Sequence, residues 1–248
     1  IHEDELKGMV REYTNGSEDL YEQEIKAKFV ASSGQLFKDS QFPIHKSMEG
    51  HNGTTFIAVD LAGFGTDPSR KNEKRRLDDT AIAIVTVLPN GQWWVREIQH
   101  GQWDTRETAY RIIKAGKDYK VSTIGIEKGA LLNAVGPYLN DYMAKYNRYF
   151  EIKPLTHGNQ RKYDRVQWAL QGRAQKGEIY LLKDTDDNEW NAKFIDQAVS
   201  FPSRYVHDDL VDALAYIDQM APQTIGNFDI GEMEKSTMFH ALDDKTGY

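Results

Sequence analysis

Four carboxylates stand where a folding core would not choose them. Asp60 ends the apolar run Phe56-Ile57-Ala58-Val59, Glu127 ends Thr123-Ile124-Gly125-Ile126, and Asp209 and Asp212 fall three apart in His207-Asp208-Asp209-Leu210-Val211-Asp212-Ala213. An acid at the end of a buried strand is costly to desolvate unless it is paired or bound to a cation. One such residue is ordinarily a turn cap; two at the ends of neighbouring strands are harder to explain that way. A spacing of three puts Asp209 and Asp212 on one helix face, and Leu210, Val211, Ala213, Leu214 and Ile217 mark that helix as deeply packed. Acids in a first turn also suit a helix dipole, but Asp212 among apolar neighbours needs a compensating partner. Mg²⁺ or Mn²⁺ is the natural one, because hard cations prefer oxygen ligands and the sequence has no Cys for a softer site. Three or four carboxylates from two strands and a helix could hold two such ions for in-line attack on a phosphodiester.

The elements that must position these acids follow from apolar periodicity. Thr54 to Asp60 is a near-continuous apolar strand, Thr80 to Leu88 a second, and Gln92 to His100 a third. Pro89-Asn90-Gly91 joins the last two as a hairpin. A helix over Thr105 to Lys117, a strand over Val121 to Glu127, a helix over Leu131 to Tyr146 and a strand over Glu151 to Leu155 complete a β-β-β-α-β-α-β order. That order predicts an α/β domain with a central mixed sheet, an antiparallel hairpin plus parallel strands, flanked by helices. Further on, the pattern predicts a helix at about 160–176, a short strand at 178–182, a helix over Asn188 to Val199 and a last helix over His207 to Met220. Residues 1–53 read as a helical and linker segment, with a short helix capped at Ser17 and a turn-rich connection over 31–53. Residues 54–222 form the main domain and 223–248 an acidic tail.

The net charge of −7 at first argues against a polyanionic partner. Its distribution weakens that objection. Residues 1–26 hold eight acids and three bases and residues 223–248 five acids and two bases, so residues 27–222 carry a net +1. The absence of Cys excludes disulfides, zinc–thiolate sites and a thiol nucleophile. No apolar run approaches membrane-spanning length, so no membrane partner is expected. The sequence opens Ile1-His2-Glu3-Asp4 without an initiator Met or basic leader, which gives the expectation of a cytosolic fragment of a longer chain.

These residues carry a resemblance. The acid at the end of the first strand, the hairpin, the acid at the end of the fourth strand and a late helix opening DDxxDA are similar to the RNase H-like superfamily. The phrases YEQEIKAKFVASSGQLF, FIAVDLA, LDDTAIAIV, IGIEKG, KYDRVQWALQGRAQKGEIYLL and FPSRYVHDDLVDALAYID resemble the C-terminal nuclease domain of tailed-bacteriophage large terminase subunits. The resemblance covers residues 20–221. It implies an RNase H-like fold and metal-dependent endonuclease activity on double-stranded viral DNA, with Asp60, Glu127 and Asp212 as catalytic metal-binding acids and Asp209 as a fourth ligand. It also implies the host cytoplasm as the place of action, and an ATPase motor domain, a small terminase subunit and a portal as partners. The motor is absent from this chain, which has no G-x-x-x-x-G-K-[ST] loop.

Basic residues supply the candidate DNA contacts. Residues 156–183 carry Arg161, Lys162, Arg165, Arg173, Lys176 and Lys183 against Asp164 and Glu178. At regular helical offsets Arg161, Lys162, Arg165 and Arg173 would line one side and track a DNA backbone. Lys128, beside Glu127, is a candidate for the scissile phosphate, and the stretch Arg70 to Arg76 is a second basic candidate. Asp79 reads as a turn residue, with a place facing the metal site from the strand start as the alternative. His207 reads as a structural helix-start histidine, with assistance to a metal ligand or activation of water as the alternative. Two rival functions remain. Asp60-Leu61-Ala62-Gly63-Phe64-Gly65-Thr66 is loosely similar to the phosphate loop of actin-like and sugar-kinase ATPases, although Ala62 stands where that loop needs Gly. A non-catalytic DNA-binding module is the other.

Overall fold

A computed structural model describes residues 35–48, 50–63, 78–156, 161–203 and 206–221. The helix expected after Ser17, the basic stretch Arg70 to Arg76 and the acidic tail lie outside these residues. Seven strands form one mixed sheet: β1 (Ile44–His45), β2 (Thr54–Asp60), β3 (Thr80–Val87), β4 (Trp93–Gly101), β5 (Thr123–Glu127), β6 (Glu151–Leu155) and β7 (Ile179–Leu182). Their spatial order is β1-β7-β4-β3-β2-β5-β6. The meander β2-β3-β4 is antiparallel, while β5 adds parallel to β2, β6 to β5, β7 to β4 and β1 to β7. This is the mixed sheet expected from the element order. The β3–β4 hairpin closes through Gly91, whose φ of +87° suits a residue without Cβ.

Strand alternation assigns each face. Ile57, Val59, Ile82, Ile84, Ile124 and Ile126 pack beneath α1 (Thr105–Asp118) and α2 (Ala130–Tyr146), in a core completed by Ile112, Ile113, Val135 and Leu139. Ala58, Ala81, Ala83 and Val85 face the other way, beneath α3 (residues 162–175), α4 (Asn191–Ser200) and α5 (Asp209–Ala215). The alanines on that face let α5 lie close against β2 and β3, so Leu210, Val211, Ala213 and Leu214 are fully buried. By the same alternation Asp60, two residues from Ala58, and Glu127, two from Gly125, point to the α5 side.

Three departures from the expected elements have physical causes. Leu36, Phe37 and Phe42 are buried in the α5-side core and Ile44–His45 pairs with β7, so the end of the expected connecting segment belongs to the packed domain. Helix α3 is not regular: Lys162–Val166 runs into a π-helical stretch, Gln167–Gln171, before Gly172–Gln175. The wider turn rotates all that follows, so Arg173 does not continue the line that regular spacing draws through Arg161, Lys162 and Arg165. The last helix is also shorter than expected, because α5 tightens at its end into a 3₁₀ turn over Tyr216–Gln219. Among the described residues, no helix is long and apolar enough to cross a membrane.

Gly125 sets how closely β5 can approach its neighbours. A Cβ there would meet Met220 Sδ at 2.6 Å and Leu155 Cδ1 at 2.8 Å. Gly125→Val is expected to destabilise the domain by about 1–3 kcal/mol through overpacking. Urea denaturation measures it, and an unchanged midpoint would contradict this packing.

Candidate metal-binding active site

The parallel pairing of β2 with β5 runs Ile57–Ile124, Ala58–Gly125, Val59–Ile126, so Asp60 and Glu127 follow side by side one step further on. Their carboxyl groups share a hydrogen bond, and Asp212, from α5, lies close enough to add its charge to theirs. Burial first, then that hydrogen bond and the two neighbouring acids, hold the Asp60 carboxyl well above its ordinary range. The Asp212 carboxyl is also raised by burial, against the pull of Lys162 and Arg165. The structure therefore brings together the three acids that the sequence singles out at two strand ends and one helix.

Asp209 is engaged elsewhere. Its Oδ2 accepts the backbone N–H of Asp79 at 3.0 Å. A carboxylate oxygen of Asp209 groups with ligand-capable atoms of Asp78 and His207, all within 4.8 Å of one another. Burial pushes the Asp209 carboxyl up to about 6, with the Asp79 N–H opposing the rise and Asp78 and Asp208 adding to it. His207 Nδ1 lies 2.8 Å from Asp78 Oδ1. Asp79 does more than turn the chain: its Oδ2 contacts Lys193 Nζ at 2.6 Å and His100 Nδ1 at 3.2 Å. Burial raises the Asp79 carboxyl, but these two partners outweigh it and leave the group below its ordinary range. Sequence spacing gives Asp78 no special role, and nothing in the positions of Lys193 or His100 points to this loop.

The basic residues divide by depth. Lys162 Nζ reaches Asp208 Oδ1 at 2.5 Å and also contacts Asp212 Oδ2. Arg165, only 7% exposed, puts Nη2 2.6 Å from Asp212 Oδ1 and lays its guanidinium 4.7 Å from the Tyr216 ring centre. Arg173 donates to Gly91 O at 3.1 Å and stacks over Trp93, fastening the β3–β4 turn. The sequence pattern sets Arg165 and Arg173 against a DNA backbone; the fold instead turns their charges inward. Arg161 is exposed and holds Asp164 with two hydrogen bonds, at 2.9 and 3.1 Å. Lys128 is exposed at the end of β5, where its backbone N–H donates to Leu155 O. The three-residue spacing of Lys162 and Arg165 is a usable signal for their common target, because such residues share a face and Asp212 requires a partner.

The donor set fits a hard divalent cation. Asp60 and Glu127 offer oxygen only, and the rise of the Asp60 carboxyl beside two further acids marks a place where positive charge is wanted. The buried acids also have a consequence for stability. A carboxyl whose folded pKa is raised contributes stability that is fully present below its unfolded value, here 3.8, and lost as pH rises through its folded value, about 6 for Asp209. Asp209→Asn, which can still accept the Asp79 N–H, should therefore gain on the parent between pH 4 and pH 7, by on the order of 2–3 kcal/mol at most. Urea denaturation in EDTA at pH 4.5 and 7.5 checks this, and an equal difference at both pH values contradicts it.

Comparison with known proteins places the chain in a family. It matches the Terminase RNaseH-like domain family over residues 64–221. No curated protein matches its sequence. Among solved structures it is similar to the large terminase nuclease from thermophilic phage G20c, at 12% identity and a TM-score of 0.49, covering 76% of this chain and 99% of that one. It is similar also to the large terminase nuclease domain of Thermus phage P74-26, at 12% identity and a TM-score of 0.46, covering 73% and 93%. The yeast mitochondrial Holliday junction resolvase aligns at 13% identity and a TM-score of 0.41, covering 75% and 82%. The family match spans more than half of the sequence, and this chain belongs to the terminase RNaseH-like domain family.

Proposed function

We propose that this chain is a divalent-metal-dependent endonuclease that cuts double-stranded viral DNA during genome packaging, in the cytoplasm of the infected bacterial host. The observation that carries the reading is the part-buried Asp60–Glu127 carboxyl pair with the buried Asp212 beside it. An ATPase motor domain, a small terminase subunit and a portal are the partners that suit a nuclease of this family. Family membership leaves the sugar-kinase-like alternative without support.

Asp60 and Glu127 would hold Mg²⁺ or Mn²⁺, with Asp212 across from them. A bound divalent ion supplies a Lewis acid for the scissile phosphate and a water acidic enough to be a nucleophile near neutral pH. Asp60 and Glu127 would hold the ion as carboxylates, the proton of their hydrogen bond passing to water. Lys162 and Arg165 fix the orientation of Asp212 and balance its charge. Arg161 and Lys128, at the surface, offer charges to the phosphate backbone without reading bases, which suits cutting with little sequence preference.

Asp60→Asn should lower Mn²⁺-dependent plasmid nicking by more than about 100-fold, beyond the loss typical of residues that only support a metal ligand. Circular dichroism checks that the variant is folded, and undiminished nicking would sink the assignment. The surface charges have their own readout. Arg161→Ala and Lys128→Ala should each reduce the slope of log affinity against log salt for duplex DNA by about 0.9, the value for one lost phosphate contact. Fluorescence anisotropy across a salt series measures it, and unchanged slopes count against both contacts.

A further inference from the structure

Helix α3 delivers two fixed cations to one carboxylate. Lys162 Nζ contacts Asp212 Oδ2 and sits 2.5 Å from Asp208 Oδ1, and Arg165 Nη2 sits 2.6 Å from Asp212 Oδ1. Both oxygens of Asp212 are thus engaged by side chains of the protein itself. Arg165 is locked in place, buried and stacked on Tyr216. Lys162 is half exposed, but its ammonium bridges two acids from the start of α5.

Two divalent ions at such a site would sit about 3.5–4 Å apart, each needing carboxylate oxygens. Asp60, Glu127, Asp208 and Asp212 carry four negative charges when ionised, and Lys162 and Arg165 return two positive ones. The remaining double negative charge matches one divalent ion. A second would leave the pocket with a double positive charge, in a place where unbalanced charge is expensive.

We infer that Lys162 takes the place of a second metal ion, so that the domain without DNA binds one divalent cation at Asp60 and Glu127. This rests on the metal-dependent reading above and makes it narrower. Lys162 is then not a DNA-tracking residue but part of the charge balance of the acidic centre. Lys162→Met removes the ammonium while keeping a side chain of similar length, and opens Asp212 Oδ2 to an ion. Lys162→Arg keeps the charge and should keep the stoichiometry.

The experiment is isothermal titration of the chain with Mn²⁺, paired with electron paramagnetic resonance. A His207→Ala background keeps ions at the Asp78–His207–Asp209 group out of the count. The parent and Lys162→Arg should bind one Mn²⁺ and show an uncoupled spectrum. Lys162→Met should bind two and show spin coupling between neighbouring ions. Two coupled ions in the parent overturn the inference, and that result holds even where Lys162→Met fails to fold. A folded Lys162→Met that still binds one overturns it as well. No bound ion in the parent, or an ion kept by Asp60→Asn, overturns instead the metal site on which the inference rests.

Discussion

The constraint on which the rest of the structure depends is the burial of like charges. Asp60, Glu127 and Asp212 meet at one point, and Glu127 and Asp212 raise the cost of ionising Asp60. The fold relieves this with a hydrogen bond between the Asp60 and Glu127 carboxyl groups and with the ion pairs of Asp212 to Lys162 and Arg165. Each device solves a different part of the problem. A hydrogen bond between carboxyl groups holds only while one of them is protonated, whereas the charge of the buried Arg165 guanidinium is permanent.

Sheet topology makes the meeting possible. An antiparallel strand added beside β2 would have carried its acid to the far edge, but β5 runs parallel, so both strands end at the same side. Small side chains on the α5 face of β2 and β3 then let that helix approach, bringing Asp212 over the strand ends. Gly125 does the same for β5, leaving room for Leu155 and Met220. The edge strand β6 tolerates Pro154, whose missing N–H costs least where no further strand must be bonded.

How far this was legible in the sequence follows from the range of each interaction. Asp60 and Glu127 were visible because a carboxylate closing an apolar strand contradicts its surroundings, and Asp212 because a packed helix does not accept an acid without cause. The pairing of Lys162 and Arg165 with Asp212 joins residues 47 or more positions apart; their spacing shows that they share a face, but only the fold brings that face to Asp212. Net charge was misleading for the same reason: Arg165 and Arg173 count as basic in the sequence, yet one is spent on Asp212 and the other on Gly91 O and the Trp93 ring. Regular helical offsets failed at the π turn, which no residue in Gln167 to Gln171 announces.

The same pairing changes what the basic helix is for. A guanidinium that is 7% exposed cannot swing outward without stripping the buried Asp212 of one of its two cationic partners and leaving Lys162 to balance it alone. Lys128 and Arg161 are instead exposed, and the pairing of Arg161 with Asp164 in water is weak and easily exchanged. The helix thus separates its charges by depth: its inward face balances the acid of α5, and its outward face leaves Arg161 in water.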